Sequence, residues 1–195
     1  MEIVLARHGE TEWSRDLRHT GRTDVPLTQK GRAQAAMLRE PLAGRSFARV
    51  LASPLGRALE TCRLAGLGDH AEVTDDLLEW DYGEYEGVTT KEIREQRPEW
   101  YLWRDGCPGG ETAEEVGRRV DRVVDELDGT DGDAVLFAHG HVLRVLAARW
   151  LRLGPDSGAL FKLDTGTLSA LGWERETRVI TRWNGPVTAT TPEPR

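Results

Sequence analysis

The 195-residue chain has only two cysteines, two methionines, and three each of tyrosine and phenylalanine. Cys62 and Cys107 lie in unrelated contexts with no Cys-x-x-Cys spacing. Neither a disulfide framework nor a cysteine-built metal site is implied, and a reduced, cytoplasmic chain is the expectation. No apolar run approaches membrane-spanning length, so no membrane partner is expected. Met1-Glu2 leads directly into an apolar run, without a basic stretch and long apolar core, so no secretory leader is expected. Positive charge is in deficit: 26 Lys and Arg stand against 33 Asp and Glu, for a net charge of −7. That balance argues against nucleic acid or an anionic membrane surface as a partner. Any anionic ligand must be drawn by a local group of arginines working against the global charge.

Hydrophobic residues make up 38% and charged residues 30%, which fits a globular chain with one full core. One domain is expected over residues 1–183, followed by a loose Pro- and Gly-containing tail over 184–195. There is no internal repeat, linker or low-complexity stretch before that tail. Strand patterns at 2–7, 49–52, 71–74 and 134–138 alternate with helical ones. Thr28 reads as an N-cap for a helix to about Arg39, and 55–65 as a second helix. A third spans 90–96 and is stopped by Pro98. Thr112-Ala113-Glu114-Glu115 fits a capping box that opens a helix to about Leu127. Residues 142–151 form the last helix, and strands at about 158–163, 167–173 and 177–183 close the chain in antiparallel fashion. This alternation predicts an α/β fold, a mainly parallel sheet covered on both faces, with ligands at the carboxyl ends of the strands.

Arg7-His8-Gly9-Glu10-Thr11 stands at such an end, directly after Ile3-Val4-Leu5-Ala6. Histidine serves as nucleophile, base or acid near neutral pH, arginine matches a phosphate's oxygens, and glycine admits a close backbone approach. Taken alone, an Arg-His-Gly is more often an ordinary strand-end turn. The other strand ends change that reading. Ser53-Pro54 follows the second strand, Arg57 falls in the first turn after it, and His139-Gly140-His141 follows the central apolar strand. If the strands run parallel, His8, His139, Arg7 and Arg57 share one edge. Such a cluster is costly unless a multivalent anion occupies it, and a phosphoryl dianion fits. The amides that open the helix after His139 favour the same charge. A phosphate ester also needs an acid for its leaving group. The segment from Leu78 to Gly87 holds Glu79, Asp81, Glu84 and Glu86, and the residues alone do not choose among them. Trp80, Trp100 and Trp103 hint at an aromatic-walled cleft, although core packing accounts for most tryptophans.

The ordered motifs resemble the histidine phosphatase superfamily, in its phosphoglycerate-mutase-like branch. They are Arg7-His8-Gly9-Glu10-Thr11, Thr20-Gly21 with Asp24 to Thr28, Gly31, and Ser53 to Thr61. Glu79 with Tyr82-Gly83 and Glu86-Gly87, Gly109 to Thr112, and His139-Gly140-His141 complete the set. The resemblance spans residues 3–173. It implies a three-layer αβα sandwich and a phosphomonoester hydrolase that needs neither metal nor cofactor. By the same resemblance His8 is the nucleophile that becomes phosphohistidine. Arg7, Arg57 and His139 hold the phosphoryl group, and Glu79 is the acid and then the base. Ser14 stands where mutases often carry an asparagine phosphate ligand, which disfavours a mutase. The segments 79–87, 103–111 and 137–144 resemble a subgroup of actinobacterial acid phosphatases and sugar bisphosphatases. That places Thr20, Gly21, Trp80, Asp81, Tyr82, Gly140 and Arg144 on the substrate side, with Arg104 as a weaker anion contact. The expected partner is a small phosphorylated metabolite. The family is often dimeric, so a homodimer is the oligomeric expectation.

Three other readings compete. A phosphoglycerate mutase must shield its phosphoenzyme from water, and only 24 residues separate Glu79 from Arg104, little for a lid. A metal hydrolase would use His8, His139 and His141 as ligands, but two arginines sit beside them. A non-catalytic phosphate-binding module would form no phosphohistidine.

Overall fold

The computed structural model describes residues 1–187. Six strands form one sheet: β1 (Ile3–Arg7), β2 (Arg49–Ala52), β3 (Glu72–Val73), β4 (Ala134–Ala138), β5 (Thr167–Glu174) and β6 (Thr177–Pro186). Their order is β3-β2-β4-β1-β5-β6. The first four in that order run parallel, and β5 and β6 add an antiparallel flank. The helices are α1 (Glu12–Arg15), α2 (Gln29–Met37), α3 (Arg39–Leu42), α4 (Gly56–Leu64), α5 (Thr90–Gln96), α6 (Leu102–Asp105), α7 (Ala113–Asp128) and α8 (Gly140–Trp150).

Strand side chains alternate between faces, and here the alternation sorts the core into two. Ile3, Leu5, Leu51 and Leu136 pack with Val116, Val120, Val123, Leu143 and Leu146 of α7 and α8. Val4, Ala6, Val50, Val135 and Phe137 pack with Leu38, Leu42 and Cys62 around α2 to α4. The expected αβα sandwich is thus present. Every residue of β4 is buried, as its unbroken apolar run predicts.

Local signals place four of the eight described helix starts, where Thr11, Thr28, Thr89 and Thr112 cap α1, α2, α5 and α7. Thr28 Oγ1 accepts the Gly31 amide. Thr112 and Glu115 complete the expected capping box. Gly9 and Gly31 face each other so closely that a Cβ at Gly9 would lie 2.1 Å from the Gly31 carbonyl oxygen. This contact seats α2 against the turn that carries His8.

Four expectations need correction. Residues 158–163 are not a strand: Pro155–Leu160 form a 3-10 helix. Pro155 starts that helix, and Gly158 packs where a Cβ would lie 2.6 Å from the Trp103 ring. The last strand continues to Pro186, beyond the expected start of the tail at 184, because Pro186 pairs with Thr167 and Gly185 with Leu168. The remainder of that tail, 188–195, lies outside the described residues. The helix expected from Thr28 to Arg39 ends at Met37 and resumes as the short α3. The last helix opens at Gly140, two residues earlier than expected.

Candidate active site

The sheet register brings the three strand ends together. Arg7 is level with Ala138, and Ala52 with Phe137. The His8 amide donates to Ala138 O at 3.0 Å and the Ser53 amide to Phe137 O at 3.0 Å. His8, Ser53 and His139 therefore leave neighbouring strands on one edge. The His8 and His139 rings lie 5.1 Å apart.

Each imidazole has its proton assigned by its partners. His8 Nδ1 donates to Gly9 O at 2.7 Å, since a carbonyl only accepts. A neutral His8 therefore carries its lone pair on Nε2. Burial, then the Arg57 and Arg7 charges, hold its pKa well below the ordinary imidazole value. His139 Nδ1 accepts from Arg57 Nε at 3.1 Å, so its Nε2–H donates to Ser53 Oγ at 2.7 Å.

Arg7 is buried beside them. One guanidinium nitrogen donates to Leu163 O, while its Nε is buried without a hydrogen-bond partner among the described residues. A buried unsatisfied donor costs roughly 1–3 kcal/mol, more when charged. Gly140 leaves room for this guanidinium, since a Cβ there would lie 3.1 Å from Arg7 Cζ. Arg57 is fully buried. Its other donors go to the carbonyls of Thr23 (2.8 Å), Gly21 (2.8 Å) and Thr20 (3.2 Å). It acts on the cluster through His139 and by its charge.

Glu79 meets the cluster from the side. His139 caps α8 with no side-chain bond, and the Glu79 carboxylate takes over that task. Oε1 accepts the Trp80 and Val142 amides at 2.9 Å each, and Oε2 accepts the His141 amide at 3.0 Å. Orphan amides at a helix start favour a carboxylate in this place. Arg119 of α7 fixes the segment by donating to Glu79 O at 3.1 Å and Asp76 O at 2.8 Å while pairing with Glu111. Of the four acids left open by the segment, Glu79 is the one that lines the cavity at this edge.

That cavity is about 700 Å³, within the range of small-ligand sites. Arg7, His8, Glu79 and Gly140 line its inner end, with Ser14, Thr20, Tyr82 and Arg144 from the expected substrate side. Ser14 Oγ is already engaged, accepting from Thr11 N at 2.9 Å and donating to Thr11 O at 3.0 Å. Arg144 lies 4.7 Å from the Trp103 ring centroid and donates to Gly158 O and Ala159 O.

Four expected contacts fall elsewhere. Trp80 is fully buried and donates to Glu111 O, so it packs beneath the site. The Gly21 amide donates to the Glu86 carboxylate and its carbonyl accepts from Arg57, which shapes the loop behind the cluster. Asp81 caps Gly83 and pairs with Arg22. Arg104 pairs with Asp105 and donates to Glu99 O on the exterior. Of the three tryptophans expected around a cleft, Trp100 and Trp103 line it. His19 and His141 line it as well. The sequence signal for His19 is its place directly before Thr20-Gly21, and His141 belongs to the His139-Gly140-His141 motif. Among the described residues no group of three or more His, Cys, Asp or Glu side chains is placed to hold a metal ion. Nor is any described helix long and apolar enough to cross a membrane. Cys62 and Cys107 are free and buried, with thiol pKa values pushed up to about 12, chiefly by burial.

The buried histidines make stability pH-dependent. His8, His139 and His141 are all held well below 6.5, first by burial and then by neighbouring cations. In the unfolded chain they protonate near 6.5, so the unfolded state binds more protons below that pH. Stability is therefore full above pH 6.5 and falls as pH drops below it, by up to about 1.4 kcal/mol per pH unit for each histidine. Urea midpoints in phosphate-free buffer, from pH 7 down to about 5, check this. A flat midpoint over that interval would contradict it.

The sequence profile described as Histidine phosphatase superfamily (branch 1) matches residues 3–186. An acid phosphatase of Mycobacterium tuberculosis is 43% identical over 182 residues, covering 91% of this chain and 89% of that protein. The sedoheptulose 1,7-bisphosphatase of Saccharomyces cerevisiae is 38% identical over 184 residues, covering 77% of this chain and 68% of that protein. Among solved structures, an open-reading-frame product of Mycobacterium tuberculosis superposes with a TM-score of 0.91 at 39% identity, covering 96% of this chain and 98% of that one.

Proposed function

Because the chain belongs to the histidine phosphatase superfamily, branch 1, and is a phosphoric monoester hydrolase of small phosphorylated metabolites, we propose that it transfers the phosphoryl group through His8. His8 Nε2 attacks phosphorus, and the bond from phosphorus to the ester oxygen breaks. The leaving oxygen takes a proton from the Glu79 carboxyl group. Oε2 accepts one amide where Oε1 accepts two, so Oε2 has room for that proton. Water then attacks the phosphohistidine, gives its proton back to Glu79, and phosphate departs with His8 restored. Arg7 binds the transferred group. Arg57 and His139 stand behind it as a buried positive charge and a donor that exchanges Ser53 Oγ for a phosphoryl oxygen.

The observation that carries this reading is Arg7 Nε, a buried cationic donor with no partner among the described residues, on an arginine whose charge acts on His8. An anion there supplies the missing acceptor. The cavity supports an anionic substrate: Arg18, Lys91, Arg94 and Arg144 line it further out, against Asp16. A sugar phosphate or bisphosphate fits this lining, and broad specificity is the alternative within the same chemistry. Hydrolysis is favoured over mutase action because the short stretch from Glu79 to Arg104 carries α5 and α6, whose residues form part of the cavity wall and leave little chain for a lid. Free, buried thiols suit a reduced, cytoplasmic setting.

A panel of phosphorylated sugars, phosphoglycerates and aryl phosphates, assayed for released phosphate with and without EDTA, tests the proposal. Stoichiometric phosphate release that survives EDTA is expected. Rapid interconversion of 2- and 3-phosphoglycerate with slow phosphate release would make the protein a mutase. Loss of activity in EDTA would restore the metal reading.

A further inference from the structure

Beyond the phosphoryl pocket, two histidines flank the Tyr82 ring. The His19 ring centroid lies 4.8 Å from it and that of His141 5.9 Å from it, and all three side chains line the cavity. Their ring nitrogens are not equivalent. His19 Nδ1 lies 2.7 Å from Val88 O and must donate to it, which leaves the lone pair on Nε2. His141 Nδ1 lies 2.5 Å from the Tyr82 hydroxyl. Tyr82 is 2% exposed and its hydroxyl has no other hydrogen-bond partner among the described residues. The phenol hydrogen therefore goes to His141 Nδ1, and a neutral His141 carries its own hydrogen on Nε2. Neither Nε2 atom has a protein partner among the described residues. Burial lowers both imidazole pKa values and raises that of the phenol, which keeps all three groups neutral.

From this arrangement we propose that His19 and His141 form a hydroxyl-reading subsite for the leaving group. His19 Nε2 accepts from one substrate hydroxyl, and His141 Nε2–H donates to another or to the same oxygen. Tyr82 is the positioning residue that fixes the His141 tautomer. The subsite selects polyol esters over plain alkyl esters. Trp103 packs edge-on against the His141 imidazole, with ring centroids 5.4 Å apart. The proposal rests on the phosphatase reading, since it concerns the alcohol half of the ester being cleaved.

Two measurements test it. The first compares kcat/KM for glycerol 3-phosphate and n-propyl phosphate, whose ester oxygens are alike and whose hydroxyl count differs. A preference for the glycerol ester of about tenfold per hydrogen bond is expected, in line with 1.4 kcal/mol per decade. His141→Phe and His19→Phe are each expected to lower that ratio by about tenfold, the share of the hydrogen bond removed. Tyr82→Phe is expected to lower it by releasing the tautomer, through KM more than through kcat. A wild-type ratio near one would overturn the proposal, as would variants that keep the full ratio. The second is ¹⁵N NMR of histidine-labelled, phosphate-free protein. His141 is expected as the Nε2–H tautomer and His19 as the Nδ1–H tautomer, with the His141 signals moving toward a tautomer mixture in Tyr82→Phe. A His141 proton on Nδ1 in the wild type would overturn it. If no ester is hydrolysed, the phosphatase reading fails, while the tautomers still decide the subsite.

Discussion

Replacing His8 with alanine is expected to abolish phosphate release, with kcat falling by about 10⁴-fold or more, the scale seen when a covalent nucleophile is removed. The argument is geometric. His8 is the member of the cluster whose free lone pair faces the cavity, because its Nδ1 is spent on Gly9 O. His139 has both nitrogens engaged, with Arg57 and Ser53, and lies behind it. During turnover of a labelled ester the wild type is expected to form an acid-labile, base-stable phosphoenzyme, and His8→Ala none. His8→Asn, closer in size, should fold with an unchanged urea midpoint at pH 7.5 and be equally unlabelled. Labelling that persists in either variant would move the nucleophile elsewhere.

How far this was legible before the fold differs by residue. Strand ends were readable because Ala134 to Ala138 are apolar without interruption, as a doubly covered parallel strand must be. Once the strands were parallel, His8, Ser53 and His139 had to emerge together. The segment expected as a strand at 158–163 was not readable: a 3-10 helix over Pro155–Leu160 overlaps it, and the packing of Gly158 against Trp103, more than fifty residues away, decides it. The substrate side divides. The resemblance put Trp80 and Asp81 there together with Thr20, Tyr82 and Arg144, and of these the last three line the cavity. In the fold, the Trp80 indole turns inward to Glu111 and the Asp81 carboxylate turns back to Gly83. The His19–Tyr82–His141 group is assembled from three separate segments, and no spacing along the chain announces it.

Glu79→Gln carries the second large effect, and its size should depend on the leaving group. For alkyl phosphates the departing alkoxide needs a proton, and kcat is expected to fall about 10²–10⁴-fold, the usual contribution of a positioned general acid. A nitrophenolate leaves without one, so phosphorylation of His8 by nitrophenyl phosphate should be far less impaired. Dephosphorylation is the same step for both esters and requires Glu79 as base for water. The variant is therefore expected to release one equivalent of nitrophenol per site in a burst and then stall as phosphohistidine. The substitution is structurally mild. The glutamine carbonyl keeps the Trp80 and Val142 amides. Its NH₂ faces the His141 amide donor to donor, which costs about one hydrogen bond, about 1 kcal/mol. A small fall in the urea midpoint should accompany the burst. An equal loss of rate for alkyl and nitrophenyl esters, with no burst, would show that Glu79 serves only to cap α8 and that another group moves the proton.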